Sequence, residues 1–364
     1  MILYFVLSNK TQSENVRPVI QEFDLKPNSK FVIKFIDLNE SRFVDHFDSI
    51  ANVNRRTIWR FFVKIKKIEL VKGSMIVFQQ DYGLRERVLA KKSQKLGLKL
   101  VLMPDGLMYD FSKISRKGPS NKLLDSITKI SHLFGISAGN SRNWLQSEPD
   151  LILSWGSGWN QFIKELSPNS KIEIVGCPRF DRYLLEKNTI AESTSVLFLS
   201  TSIWEMGFAK QEVANYYQEL TNFLANNKKI QLRLHPNEMR SNRTPGALKK
   251  LSSVAEVASD IKSASVAISP ISTSLLEAQL LGSKTILFDV QGKIGHVWKS
   301  CPFYSDSEMS VARSFQELEE ILFGHQVIHE KDNLESLQEN VFAENMGKSA
   351  EKIFEALMQF GLDK

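Results

Sequence analysis

The chain repeats one rhythm: a short unbroken apolar run, then a stretch of helical period, then another apolar run. The runs fall at Ile2–Leu7, Phe31–Ile36, Met75–Gln79, Leu98–Met103, Leu151–Trp155 and Lys171–Val175. A second series follows at Val196–Ser200, Ile230–Leu234, Val254–Val257, Val266–Ile268 and Thr285–Phe288, with Ser310–Ala312 as a further candidate. Strands that are apolar along their whole length are buried on both faces, and the helices between them supply the cover. The pattern therefore predicts parallel sheets in an α/β fold. The helix over Leu84–Leu96 is closed by Gly97, a C-terminal cap residue. Another opens at Ser314-Phe315-Gln316-Glu317, a capping-box pattern, and ends at Gly324. Leu334–Leu362 is amphipathic and helical in pattern.

A chain of 364 residues can bury two cores. The polar stretch Glu186–Thr194 separates the two strand series and reads as a linker. The expected division is a Rossmann-like domain over residues 1–188, a second over 189–340, and a C-terminal helix over 341–364. Two such α/β domains imply a cleft, and open parallel sheets bind ligands beyond the carboxyl ends of their strands. The loops after Met103, Ser200, Leu234 and Ile268 are then the ones to search.

Composition excludes several classes. With 42% apolar and 24% charged residues the chain is an ordinary globular one. Met1–Leu7 lacks a basic flank and a cleavage site and reads as a first strand. No apolar run is long enough to span a bilayer. Two cysteines, Cys177 and Cys301, make neither a disulfide framework nor a metal cluster, which points to a reducing cytoplasm. The net charge of +6 is uneven. Arg55, Arg56, Arg60, Lys64, Lys66, Lys67 and Lys72 are interleaved with Trp59, Phe61, Phe62 and Ile65. This stretch is either a solvated amphipathic helix or a surface for an anionic membrane or polyanionic acceptor, at the inner face of the cytoplasmic membrane. No nucleic-acid motif accompanies it.

The chemistry-bearing residues lie at predicted strand ends. Arg233-Leu234-His235-Pro236 closes one strand; His235 is either an incidental loop residue before a strand-ending proline or a phosphate partner. Ser269-Pro270-Ile271-Ser272-Thr273-Ser274 joins a strand to a helix, and a helix start with added hydroxyls suits an anion. Ser274-Leu275-Leu276-Glu277 also reads as a capping box, which would leave Ser272 and Thr273 for a ligand. Glu277 could otherwise reach a ribose hydroxyl. Ser200-Thr201-Ser202 adds further hydroxyls, Thr201 and Ser202 among the candidate nucleotide contacts. Pro104-Asp105-Gly106 is a turn signature first, but its position makes Asp105 a candidate general base. Asp81 could line the same pocket or cap the helix at Leu84, and Asp110 is the next carboxylate. Trp155-Gly156-Ser157-Gly158 and Gly176–Arg182 are turns before they are ligand contacts. A Walker phosphate loop, a GxGxxG fingerprint, a Cys/His metal set and an Asp-x-Asp pair are all absent, and no metal is expected.

With Pro104-Asp105-Gly106, His235-Pro236 and Ser272-Thr273-Ser274 in that order, the chain resembles GT-B glycosyltransferases. The resemblance is closest to bacterial sialyltransferases, polysialyltransferases and related capsule or lipopolysaccharide enzymes that use CMP-sugars. The family usually has an acid where Pro104 stands. The stretch from Asp150 to Arg182 is also similar to the glycerophosphotransferases of wall teichoic acid synthesis. The resemblance implies two Rossmann-like domains facing a cleft, the first binding the acceptor and the second the nucleotide sugar. It implies a metal-independent, inverting transfer of sialic acid or another CMP-activated acidic sugar to a glycan or lipid-linked glycan, with no cofactor. Asp105 would take the acceptor proton. His235 would bind or protonate the departing phosphate, beside Pro236, Ser272, Thr273 and Ser274. The alternatives are a CDP-glycerol or UDP-sugar transferase, a sugar-nucleotide epimerase or hydrolase, and a non-catalytic subunit of a polysaccharide assembly.

Overall fold

The structure is a computed structural model that describes residues 1–26, 31–38, 49–52, 65, 67–108, 119–141, 143–181, 195–295, 310–324 and 347–362. The chain divides into two compact units. One is Met1–Phe111, Leu123–Asp181 and Gln338–Lys364; the other is Ser112–Lys122 and Arg182–Leu337. Glu186–Thr194, the expected linker, lies outside the described residues, as do Asp110, Cys301, Lys64, Lys66 and the stretch from Arg55 to Arg60.

The first unit carries β1 (Ile2–Leu7), β2 (Val32–Asp37), β3 (Ser49–Asn52), β4 (Met75–Phe78), β5 (Lys99–Leu102), β6 (Leu151–Ser154) and β7 (Lys171–Ile174). All pair in parallel in the order β3-β2-β1-β4-β5-β6-β7. Its helices are α1 (Lys10–Leu25), α2 (Leu84–Lys95), α3 (Pro119–Leu133, entered from the second unit's Ser112–Lys122) and α4 (Asn160–Leu166). Every residue of β4 and β6 is buried, as two covered faces require. Gly97 ends the turn after α2 with φ +69°, a conformation glycine adopts without strain. β3 carries no long apolar run and is absent from the sequence-based expectation.

The second unit carries β8 (Val196–Leu199), β9 (Ile230–Arg233), β10 (Val266–Ser269), β11 (Lys284–Phe288) and β12 (Ser310–Ala312). Its parallel order is β12-β11-β10-β8-β9. Its helices are α5 (Lys210–Asn226), α6 (Pro236–Arg240), α7 (Gly246–Leu251), α8 (Val257–Lys262), α9 (Thr273–Leu280) and α10 (Phe315–Phe323). Ser314 caps α10 as expected, its Oγ accepting from Glu317 N at 3.1 Å. The expected strand at Val254–Val257 does not form. Val254 is 91% exposed in a loop and Val257 begins α8, so the two valines carried a strand signal without a sheet to bury them.

The last helix, α11 (Ser349–Leu362), returns to the first unit. Ile353, Phe354 and Leu357 join a core with Val16, Val19 and Phe23 of α1 and with Leu3 and Phe5 of β1. The rings of Phe23 and Phe354 meet edge to face at 4.7 Å. Full burial of one such side chain stabilises by about 1.5–3 kcal/mol. Asp181 holds the start of this helix, accepting from Gly347 N, Ser349 N and Ser349 Oγ at 2.7–2.8 Å.

Candidate functional site

In the second sheet β8 lies between β9 and β10, so the chain leaves its carboxyl end in opposite directions. That is the switch point at which open α/β sheets bind ligands. Three loops meet there, and hydroxyls lace them together. Thr201 Oγ1 donates to Ile271 O at 3.0 Å, tying the loop after β8 to the loop after β10. Ser202 Oγ lies 3.5 Å from His235 Nδ1, tying it to the loop after β9. Ser200 Oγ donates to Glu238 Oε1 at 2.9 Å. Thr201 and Ser202, expected as nucleotide contacts, thus have internal partners as well. Arg233, next to the histidine motif, pairs with Asp260 at 2.6 Å.

His235 is the N-cap of α6, with Pro236 at the first helical position, where its missing N–H costs nothing. Its Nδ1 accepts from Asn237 N at 3.2 Å, so the neutral ring carries its proton on Nε2. The surrounding protein pushes the imidazole down to about 4, by withholding water and then through Arg240. The ring is therefore neutral at pH 7. Glu238, which sequence reasoning passed over, closes the capping box. Fully buried, it accepts from His235 N at 2.8 Å, Tyr217 OH at 2.7 Å and Ser200 Oγ. Burial raises its carboxyl. His-x-x-Glu with proline after the histidine was the available signal.

Ser269, the last residue of β10, is completely buried and its Oγ has no hydrogen-bond partner. Ser272, not Ser274, caps α9, its Oγ accepting from Ser274 N at 3.1 Å. The capping box expected at Ser274 and Glu277 therefore does not form. The helix begins earlier, so Glu277 lies beyond the reach of the cap and is buried. Thr273 and Ser274 stand partly exposed in the first turn, where the helix offers backbone N–H groups and partial positive charge.

In the first unit Asp105 follows β5 beside the switch between β1 and β4. Its carboxylate accepts from Gln12 Nε2 at 2.8 Å, and its N–H donates to Gln79 O at 3.1 Å. Burial raises its carboxyl above the ordinary range, against lowering contributions from Gln12, Arg179 and Asn9. Around it Gln79 Nε2 donates to Gln12 O, Asn15 Nδ2 to Gln79 Oε1, and Gln80 Nε2 to Ser8 Oγ and Glu86 Oε1. Glu86, its carboxyl raised by burial and then by Asp105, lies against Gly83, where a Cβ would meet its carboxylate and require that side chain to shift. Trp155 Nε1 donates to Pro104 O at 3.0 Å and supports the loop. Asp81 neither caps α2 nor stands free as a base. It is fully buried and accepts from Leu145 N, Ser147 N and Ser147 Oγ. Cys177 Sγ faces Asn15 Oδ1 at 3.7 Å, and burial pushes its thiol up to about 12. Among the described residues no group of three His, Cys, Asp or Glu is arranged to hold a metal, and no helix is long and apolar enough to cross a membrane.

No protein-family model matches the chain, and no curated protein matches it. Among solved structures it is similar to the UDP-GlcNAc 2-epimerase of Methanocaldococcus jannaschii in complex with UDP-GlcNAc and UDP. The TM-score is 0.60 at 14% identity, over 99% of this chain and 100% of that one. It is similar to Staphylococcus aureus MnaA with UDP, TM-score 0.60 at 8% identity over 100% and 97%. It is also similar to the wall teichoic acid polymerase TagF with CDPG, TM-score 0.53 at 11% identity over 99% and 89%. These likenesses support the GT-B class in general and not its sialyltransferase-like branch. At such identities they show the fold alone: two Rossmann-like α/β domains and a C-terminal helix, the GT-B type.

Proposed function

We propose that this chain is an enzyme of nucleotide-sugar chemistry. It binds the diphosphate of a UDP- or CDP-linked substrate at the carboxyl ends of β8, β9 and β10 and breaks the bond between that diphosphate and the group it carries. One observation carries the reading. Hydroxyls from the loops after β8 and β10, the His235 imidazole and the head of α9 gather at the carboxyl ends of β8, β9 and β10, where the strand order turns, and Ser269 at the end of β10 carries a buried hydroxyl with no hydrogen-bond partner. Donors fixed in advance around one point suit an anion whose charge grows as its bond breaks. His235, neutral, contributes an Nε2–H hydrogen bond rather than a proton. Asp105, with its raised carboxyl, is assigned the proton-handling role. The similar structures carry UDP-GlcNAc and UDP, or CDPG, which supports UDP- and CDP-linked substrates ahead of CMP-sugars. Isomerisation or hydrolysis of the sugar comes first and transfer to an acceptor second. CMP-sugar transfer to a glycan is the reading that the order of Asp105, His235 and Ser272 favours.

Calorimetry with UDP, CDP, CMP and GDP tests this. Preferential binding of UDP or CDP is expected, weakened on the order of tenfold by Ser272→Ala with Thr273→Ala, because those positions head the helix. Binding of CMP alone would return the reading to CMP-sugars. Incubation with UDP-GlcNAc without acceptor separates the chemistries: a C2 epimer or free UDP marks an isomerase or hydrolase, and acceptor-dependent product marks a transferase.

A further inference from the structure

Two carboxylates of the first unit stand at the ends of one chain of hydrogen bonds. Gln80 Nε2 donates to Glu86 Oε1 at 3.0 Å and to Ser8 Oγ at 3.2 Å. Ser8 Oγ donates to Gln12 Oε1 at 2.8 Å, and Gln12 Nε2 donates to Asp105 Oδ2 at 2.8 Å. Every step runs in a fixed sense. An ionised carboxylate only accepts, so Glu86 draws the N–H side of the Gln80 amide toward itself and Ser8. The Ser8 hydroxyl, accepting from Gln80, sends its own proton to the Gln12 oxygen, and Ser8 N donates there as well, at 2.6 Å. The Gln12 amide then has its N–H side left for Asp105. The two ends differ in access. Glu86, in the first turn of α2, is 6% exposed, whereas Asp105 is half-buried beside the strand ends. A ligand can reach Asp105 and cannot reach Glu86.

The placement of Glu86 has a local cause. Gly83 is the N-cap of α2, and the side chain it lacks leaves the room that the Glu86 carboxylate fills. The other titratable or charged groups around the pair are Arg85 beside Glu86, and Arg179 near both Asp105 and the Cys177 thiol. Asp81, past the end of β4, is enclosed by Leu145 and Ser147 and near Arg87. We propose that Glu86 is a positioning residue for Asp105: it fixes the sense of the relay that presents the Gln12 N–H to the Asp105 carboxylate, and its own negative charge sets how tightly Asp105 holds a proton. The N–H favours the ionised form of Asp105 and the neighbouring charge favours the protonated one, which keeps that proton exchangeable. The inference rests on the proton-handling role proposed for Asp105.

The test is the titration of the Asp105 carboxyl in the full chain, followed by NMR with aspartate labelled at its carboxyl carbon. The Asp105 signal is the one that Asp105→Asn removes. Glu86→Gln keeps an oxygen to accept from Gln80 and removes the charge. The Asp105 midpoint should fall by about half a pH unit or more, because a nearby negative charge no longer opposes ionisation. In turnover of UDP-GlcNAc, the limb of the pH–rate profile that reports Asp105 should move with it. Glu86→Leu, which leaves the relay without its anchor, should lower the plateau rate about tenfold relative to Glu86→Gln, the scale of one misdirected hydrogen bond. An unchanged Asp105 midpoint in Glu86→Gln overturns the proposal, and so does a Glu86→Leu variant as active as Glu86→Gln. The titration needs no substrate, so it decides the matter whether or not UDP-GlcNAc is turned over. A midpoint that moves while the pH–rate limb stays put upholds the link between the carboxylates and removes the proton-handling role of Asp105 instead.

Discussion

Asp105 and His235 each follow the carboxyl end of a parallel strand, at non-equivalent places in the two sheets, and their surroundings differ in kind. Asp105 is framed by amides: Gln12, Gln79, Gln80 and Asn15 share donors and acceptors around a carboxylate that burial makes easier to protonate. The His235 locus is framed by hydroxyls and a helix start, and its buried carboxylate, Glu238, points inward to brace the loop. An amide network holds a titrating group in one geometry while leaving its proton negotiable. Hydroxyls and N–H groups around a neutral ring offer donors that a bound anion can recruit. Under the proposed function this difference divides proton handling at Asp105 from anion holding at the His235 locus.

The sharpest way to break that division is Asp105→Asn. It should lower turnover on the order of a hundredfold or more while leaving nucleotide affinity nearly unchanged, measured by steady-state kinetics and calorimetry. Equal losses in both would merge the two roles. Next is Glu238→Ala, which strands the Ser200 and Tyr217 hydroxyls and the His235 N–H. It should cost on the order of 3 kcal/mol in urea unfolding, and Glu238→Gln should recover part of it. A surface role for Glu238 would make both variants near neutral. The smallest effect is spectroscopic. The His235 imidazole should titrate by NMR with a midpoint near 4, well below the ordinary 6.5. Because the folded state depresses this pKa, the stabilisation is present above 6.5 and is lost as pH falls through about 4. A midpoint at 6.5 would make the ring a cation donor near neutrality and sharpen the case for proton transfer to the phosphate.

Much of the architecture is legible in the chain because burial on both faces forces unbroken apolar runs: β4 and β6 read as strands from composition alone. The same rule misleads at Val254–Val257, where one valine sits in an exposed loop and the other opens α8, and is silent at β3. The strand-end positions of Asp105, His235 and Ser272 were legible for the same reason as the strands. Their partners were not. Glu238, Gln12 and Gln79 are polar residues that a one-dimensional pattern assigns to the surface, and only the packing of neighbouring strands buries them. The helix cap falls at Ser272 and not at the expected Ser274 because the serine-glutamate pattern matches Ser274 alone, while Ser272, with Leu275 three positions on, caps the helix through its own hydroxyl.

The return of α11 to the first unit sets an order of events during synthesis. The five strands of the second unit span residues 196–312, so that sheet can complete itself while the ribosome is still translating the final helix. The first unit, although it leaves the tunnel earlier, cannot seal its core until Ile353, Phe354 and Leu357 arrive. For that interval the apolar face of β1 and α1 that they will cover stays open to solvent and to chaperones.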